Sequence, residues 1–382
     1  MAAKSGKKKS GFIRFIKWLF VFLNVLAVLA LILSYLSPFV SPASSAYIPF
    51  FGLAYPILVL MNLGFVLIWL FANWRWAFLS LLTIAAGWFL IRSHVQYSGQ
   101  HRFSETEIPI KLTSYNVRNF DIYNYSKDWV TNTEKRNKIF AYLKEDQPDI
   151  LCFQEFVHDR SNVFRTLDTL TEFLNAKNVH AEYTFLSRNT IEFGIATFTK
   201  YPIVGQGRID FNNSTNNLCI FTDVLIGEDT VRIYNAHFES IHFSYADYQY
   251  AEDLATSKDV DQHKGASRRI FSLLKAAFID RASQAELVAK HIKSCPYPIL
   301  LCTDLNDTPA SYAYQQLTDD LDDAFIECGS GLGSTYEGIF PSFRIDYLFH
   351  SDDFEAYNFV TRKLKYSDHY PVSCDMVLKK GE

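Results

Sequence analysis

The sequence predicts an α/β sandwich, two sheets with helices outside, preceded by N-terminal transmembrane helices. Three observations predict it. Residues 1–92 hold eight Lys or Arg and no Asp or Glu, and no charged residue occurs from Trp18 to Trp74. The rest of the chain holds 29 basic and 41 acidic side chains, a net charge of −12. From about Ile108, short apolar runs alternate with helical stretches, as in a layered α/β domain. The expected divisions are a membrane region at 1–92, a linker at 93–107 and a globular domain at 108–382.

The membrane region comes first. Apolar segments of about 18 residues or more exceed what a buried soluble helix needs. Spans are expected at 18–36, 50–71 and 76–91. "SPFVSPASSAYIP" separates the first two, and Arg75 and Arg92 bound the third. The third is short, so its arginines must snorkel toward the headgroups. Trp18, Trp74, Trp76 and Trp88 suit interfacial positions. A cleaved signal ending at Ala46 is the competing reading, because Lys7 to Lys9 form a charged leader and "SPASSA" offers small residues. Against it, the apolar run is long for a signal, and more membrane-length sequence follows. Lys4, Lys7, Lys8, Lys9, Arg14 and Lys17 precede the first span, and the next loop is uncharged. This argues for a cytoplasmic N-terminus. Three spans then place the acidic domain outside; two would leave it in the cytoplasm.

The globular elements follow in order. "IKLTSYNV" reads as a strand. "EKRNKIFAYLKED" has helical spacing, with Ile139, Phe140 and Leu143 on one face. "DILCF" is a buried strand, and "LCIFTDVLI" and "TVRIYNAHF" are two strands around the turn "GED". Residues 267–293 form a long helical pattern. "YPILLCTDLND", "FRIDYLFH" and "PVSCDMVL" read as strands. The segment from Ser240 to Arg268 is long, polar and aromatic, without clean periodicity. Substrate contact and a solvated insertion are both open for it. Six cysteines (152, 219, 295, 302, 328 and 374) include no C-x-x-C and no zinc-site spacing. Cys152 and Cys302 sit in apolar runs, as small buried hydrophobes do. The redox compartment stays open.

Polar residues at strand ends carry the chemistry. Each alone has an ordinary structural reading. Asn116 can be a turn residue, Glu155 a solvated acid and His237 a satisfied histidine. Asp304 and Asn306 can cap a helix, and Ser367-Asp368-His369 can be a turn before the last strand. Asp346 resists such a reading: it lies beside Ile345, Tyr347 and Leu348, where a carboxylate needs solvent or a partner. Asp304 and Asn306 are two apart and share a face. Combined, the residues fit one chemistry. Carboxylates and carboxamides at strand ends can collect a hard divalent cation, with Glu155 the leading ligand. A histidine paired with a carboxylate manages protons near neutral pH. Asn and His donors can stabilise charge on a pentavalent phosphorus. That set describes hydrolysis of a phosphate ester.

The ordered series Asn116, Gln154-Glu155, Asn235-x-His237, Asp304-x-Asn306, Asp346 and Ser367-Asp368-His369 resembles the endonuclease/exonuclease/phosphatase superfamily. The resemblance covers roughly Lys111 to Leu378, and "FGIATFTKYPI" matches a further stretch, with Thr199 where Ser is usual. It implies a deoxyribonuclease-I-like, four-layered α/β sandwich of two packed mixed sheets flanked by helices. It implies that Glu155 binds Mg²⁺ or Mn²⁺ with Asn116 beside it and Asp368 near the metal and phosphate. It pairs His369 with an orienting Asp346 for proton transfer. Asp304 would position or deprotonate the attacking water, Asn306 hold a phosphate oxygen, and His237 stabilise the transition state or assist the leaving group. Asn235 joins Arg118 and Arg188 as a substrate-binding candidate. No covalent intermediate is implied: water attacks in line. One departure matters. Relatives that cut abasic DNA carry an acid two residues after the first Asn and a Tyr in the His237 region, where this chain has Arg118 and His237.

The substrate is less defined. A domain of −12 does not resemble a tight duplex-DNA binder, since that affinity rests on neutralising phosphates. A degradative nuclease could manage with a few basic loop residues: Arg118, Arg188, Lys264, Arg268 and Arg269. Tethering to a membrane suits a phospholipid, and also extracytoplasmic nucleotides or nucleic acid. The alternative class is a binding or scaffold protein on the same fold without catalysis.

Overall fold

Strands covered on both faces are buried along most of their length, and two parallel pairs here show that pattern. The first is β1 (Ile110–Asn116) beside β2 (Ile150–Asp159). The second is β7 (Asp229–His237) beside β8 (Ile299–Asp304). In this computed structural model, residues 3–97, 108–122, 133–161, 164–174, 176, 178–211, 216–241, 260–338 and 343–379 are described, with backbone alone over 3–10 and 260–266.

Each parallel pair is the centre of a six-stranded mixed sheet. The first sheet runs β11-β12-β1-β2-β4-β3, using β3 (Asn178–Ser187), β4 (Ile191–Thr199), β11 (Phe354–Thr361) and β12 (Val372–Leu378). The second runs β5-β6-β7-β8-β10-β9, using β5 (Ile203–Asp210), β6 (Leu218–Ile226), β9 (Asp322–Asp323) and β10 (Asp346–His350). The sheets pack face to face through Leu112, Ile150, Cys152 and Met376 from one and Ile233, Leu300, Cys302 and Leu348 from the other. Helices α6 (Glu134–Asp146) and α7 (Thr166–Phe173) cover the outer face of the first sheet with Ile139, Leu143 and Leu170. The second is covered by α8 (Val260–Lys293) and α9 (Tyr312–Thr318), through Ala285, Val288, Ile292 and Leu317. This is the four-layered sandwich expected. The long helix starts at Val260, so the last residues of the aperiodic 240–268 segment are helical; 242–259 lie outside the described residues.

One cross-sheet contact sets an acid sensitivity. His180 on β3 is 3% exposed, with Nδ1 2.9 Å from the Thr222 hydroxyl on β6. Burial lowers its pKa, despite Glu182 nearby. A histidine whose folded pKa lies below its unfolded value gives full stability above the unfolded pKa and loses it as pH falls through that value. The thermal midpoint is therefore expected to drop from pH 7 to pH 5, this residue contributing at most about 1.4 kcal/mol per pH unit. His180→Asn should flatten the profile; an unchanged slope in thermal unfolding would reject the assignment.

The chain divides into two compact units, Met1–Arg92 with Ala310–Tyr312, and Ser93–Pro309 with Ala313–Glu382. The first is helical: α1 (Ala3–Leu36), α2 (Ile48–Leu53), α3 (Tyr55–Ala72), α4 (Trp74–Ala86) and α5 (Trp88–His94). Two helices, Gly11–Leu36 and Tyr55–Ala72, are long and apolar enough to cross a membrane. The expected second span begins late, because the helix is interrupted at Ala54 and restarts at Tyr55-Pro56, a proline that suits a first turn. The expected third span is not straight. Helices α4 and α5 meet at 62°, and count as a third span only if taken together. Gly87 sits at the break, where a Cβ would fall 2.4 Å from the Tyr35 ring. Polarity in this unit is inverted. Asn24, Asn62 and Ser80 are wholly buried while Leu60, Leu67 and Phe71 are exposed. Asn24 donates to Ser80 Oγ (2.6 Å) and accepts from the Trp69 indole (3.0 Å), the polar cross-links used between helices in lipid.

Candidate active site

Four strand ends meet where both parallel pairs finish. Register aligns Asn116 with Gln154, and places His237, Asp304 and Asp346 in one row across β7, β8 and β10. Local distortions aim the side chains. Between Phe153 and Phe156, two residues of β2 face one residue of β4, a β-bulge. Glu155 is in that bulge with φ +48, so its carboxylate leaves the pleat. Gly194 pairs with Phe156 just past the bulge, and a Cβ there would lie 1.9 Å from the Glu182 carbonyl oxygen. After β8, Asn306 (φ +54) donates its N–H to Asp304 Oδ1 (3.0 Å), an Asx turn. Arg118 to Asp121 all have positive φ, a tight left-handed turn after β1 that brings Asn119 Nδ2 to Glu155 Oε2 (3.4 Å).

One hydrogen-bonded network joins these groups. The Asn116 amide donates to Glu155 Oε1 (3.1 Å) and to Asp304 Oδ2 (2.8 Å), and its own oxygen accepts from Arg118 N (2.9 Å). In this orientation Asn116 holds the two carboxylates through its nitrogen. His237 Nε2 lies 3.6 Å from Asp304 Oδ2 and 3.9 Å from Glu155 Oε1. His369 Nδ1 meets both Asp346 oxygens (3.0 and 3.1 Å), while Nε2 faces Asp304 Oδ2 at 3.8 Å. The Ser367 hydroxyl fixes this last turn. It donates to the Asn116 carbonyl (2.9 Å) and accepts from His369 N (3.2 Å). Asp368 lies 3.5 Å from Arg118 Nε.

Electrostatics follow from the crowding. Burial pushes Asp304 up to about 6, with Asp346 adding to it and His369 and His237 opposing. Glu155 is raised by its removal from water, which its bond from Asn116 only partly offsets. Burial alone would depress His369, yet Asp346 and Asp304 hold its pKa well above the usual value. Two carboxyl groups raised in this way flank one amide nitrogen, and their oxygens are the hard donors a divalent cation prefers. Glu155, its side chain 30% exposed, lines a cleft, and Asp368, 27% exposed, lies beside Arg118. Asp304, Asp346 and His369 also cluster within 4.8 Å. Because Asp346 chelates the ring Nδ1–H, that cluster has the form of an orienting carboxylate–histidine pair.

The structure brings Asn116, Glu155, His237, Asp304, Asn306, Asp346, Asp368, His369 and Arg118 together. It does not bring Asn235 to the cleft. Asn235 is wholly buried, its oxygen accepting from Gln154 (2.9 Å) and its nitrogen donating to the Phe153 and Ala196 carbonyls. It is a strut between the sheets, buried because that end of β7 packs inward. Arg188 is exposed in the β3–β4 turn, and no hydrogen bond or ion pair among the described residues joins it to the site. Arg268 and Arg269 are exposed on α8, and the Lys264 side chain lies outside the described residues.

Other contributors carried little sequence signal. Thr335 Oγ1 accepts from the Ile345 and Asp346 N–H groups (3.0 and 3.1 Å), and Tyr336 lies edge-on to His369 at 5.2 Å. Arg281 of α8, 1% exposed, pairs with Asp307 (3.1 Å) and donates to the Glu239 carbonyl (3.1 Å). It thereby ties the loop after His237 to the loop after Asp304. A cleft of about 350 Å³ opens beside Glu155 and His237, lined by Asn119, Thr184, Phe185, Phe193, Asn216 and Asn217.

A two-sheet sandwich with carboxylates, amides and histidines at one edge has the form of a phosphoester hydrolase. The chain belongs to the endonuclease/exonuclease/phosphatase family, whose sequence profile matches residues 113–369. Residues 17–94 match a second family described only as a domain of unknown function. Similar solved structures include an endonuclease/exonuclease/phosphatase from Beutenbergia cavernae DSM 12333, at TM-score 0.50 and 16% identity, covering 71% of this chain and 72% of that one. The human Nocturnin catalytic domain with bound sulfate matches at TM-score 0.50 and 16% identity, over 71% of this chain and 94% of that one. An endonuclease/exonuclease/phosphatase from Bacteroides vulgatus gives TM-score 0.50 and 16% identity, over 72% of this chain and all of that one. At this identity the likeness is one of fold. No curated protein matches.

Proposed function

We propose that this protein is a membrane-anchored, Mg²⁺- or Mn²⁺-dependent phosphodiesterase that hydrolyses its substrate by in-line attack of water. The observation that carries the proposal is the single network from Glu155 through Asn116 to Asp304, with a histidine on either side. Glu155 and Asp368 would hold the cation, which supplies neutralisation of phosphate oxygens when bound. Asn116 fixes the spacing of the Glu155 and Asp304 carboxylates. Asp304, raised toward neutrality, accepts a proton from the attacking water. His369, oriented by Asp346, carries positive charge beside the reacting phosphate and returns a proton. His237 supplies the second ring at the cleft, for developing charge or the leaving oxygen. Arg118 offers a guanidinium to the phosphate, and Asn306, whose amide donates to the Phe238 carbonyl (3.1 Å), has a second amide N–H for a phosphate oxygen.

The membrane part of the proposal rests on the inverted polarity of residues 11–92 and on their lack of acids. The basic N-terminus is cytoplasmic, and the α4–α5 pair completes a third passage, which sets the catalytic domain outside. An enzyme reporter that works only outside the cytoplasm, fused after Glu382, should be active. Inactivity would favour two passages.

The catalytic reading is tested on the full chain in detergent, with bis(4-nitrophenyl) phosphate, DNA, RNA, sphingomyelin, phosphoinositides and nucleotides as substrates. At least one should be hydrolysed with Mg²⁺ or Mn²⁺, lose essentially all turnover in EDTA, and regain it on metal addition. Absence of metal-dependent hydrolysis across the panel would overturn the proposal in favour of a non-catalytic scaffold.

A further inference from the structure

We propose that the opposite end of β10 carries a second divalent-cation site, built from His350, Asp322 and Glu327 and suited to Zn²⁺ or Mn²⁺. It is separate from the catalytic cleft and does not depend on the reading of that cleft. Asp346 and His350 are the two ends of one five-residue strand, about 13 Å apart at the ordinary rise per residue.

The geometry points to a ligand. His350 is wholly buried. Its Nδ1 lies 3.0 Å from the Ser351 carbonyl, so that nitrogen carries the proton in the neutral ring and Nε2 presents a lone pair. Nε2 is buried, and among the described residues its one ion-pair contact is Glu327 Oε1 at 3.3 Å, without good hydrogen-bond geometry. Metal-bound histidines are typically held by such a bond from the far nitrogen to a carbonyl. Nε2 and one oxygen from each of Asp322 and Glu327 lie within 4.8 Å of one another. Donors around a small ion at roughly 2.0–2.2 Å must converge to that range. The remaining Glu327 oxygen accepts from Ala356 N (3.2 Å), which fixes the carboxylate.

Chemistry selects the ion. Imidazole with carboxylates suits Zn²⁺ or Mn²⁺, whereas Mg²⁺ and Ca²⁺ prefer oxygen alone. Two carboxylates thus converge on one imidazole nitrogen. A proton on Nε2 is the natural competitor for a cation there. Since β9 is a two-residue edge strand, the ion would staple it and the following short helix, α10 (Ala324–Cys328), to β10 and the turn after it.

The test uses the full chain in detergent, titrated with Zn²⁺ or Mn²⁺ alone and compared with the double variant Asp322→Asn, Glu327→Gln. Both carboxylates are exposed, so the variant should fold. The parent is expected to hold one more ion per chain after desalting, and the variant to need at least about tenfold more metal to reach that count. Metal should raise the thermal midpoint of the parent more than that of the variant, with phosphodiester turnover at fixed Mg²⁺ equal in both. His350→Gln should behave like the double variant. Equal metal counts and equal thermal shifts in parent and double variant would overturn the proposal, leaving His350–Glu327 as an ion pair only.

Discussion

Replacing His369 with alanine is expected to lower kcat by about 10²- to 10⁴-fold, the usual range for a positioned acid–base group. The ring is 5% exposed, chelated at Nδ1 by Asp346, and turned so that Nε2 faces Asp304. Asp346→Asn should fall in the same range, because the amide cannot hold the same proton on Nδ1 or stabilise the cation. The double variant should be little worse than either single one, as expected when two groups act as a unit. Losing the ring leaves the buried Asp346 carboxylate uncompensated, so a stability loss of about 1–3 kcal/mol should accompany the kinetic effect. Steady-state rates alongside a thermal melt separate the two. A folded His369→Ala protein within threefold of parental kcat would remove this residue from the mechanism.

Glu155→Gln is expected to reduce kcat/KM by about 10²- to 10³-fold and to raise the Mn²⁺ concentration for half-maximal activity by at least about tenfold. The substitution keeps the shape and removes only charge. Stability should barely change, because Glu155 is partly exposed and the desolvation that raises its pKa makes its ionisation unfavourable in the fold. Calorimetric titration with Mn²⁺ gives the affinity directly. Unchanged Mn²⁺ dependence would place the cation elsewhere and undo the role proposed for Glu155.

Much of this site was legible because polar residues ended apolar runs. Asp304 closes "ILLCTD", Asn116 closes "IKLTSYN", and Asp346 opens a wholly buried strand. A side chain that breaks such a pattern needs a reason, and here the reasons converge. Asn235 shows the limit. It shares a face with His237 by period two, but spacing does not reveal that one residue meets the opposite sheet while the next-but-one reaches the cleft. Strands β3, β4, β5 and β11 are not among those the sequence predicts. Strand β5 contains Gly205 and Gly207 and alternates half-buried with exposed residues, and β11 is irregular at Asn358 with φ +54. Strand β9, at two residues, is too short for any periodicity. The break at Gly87 was hidden because apolar composition measures length in lipid, not straightness. Thr335 and Asn119 left no mark, since a hydroxyl or amide in a loop is ordinary until its partner is known.

The bulge at Glu155 makes catalytic competence a matter of phase. On either side of it, β2 pairs regularly with β4 and supplies Phe153 and Phe156 to the same core. One extra residue therefore separates a chain that presents a carboxylate to the cleft from one that runs straight past it. Deleting a single residue between Phe153 and Phe156 would restore continuous pairing with both flanking segments in register. If the residue lost is Glu155, the product would be a folded twin of the domain with no carboxylate at that position. On the role proposed for Glu155, an inert form of this protein lies one codon away, by a route that no alanine scan samples.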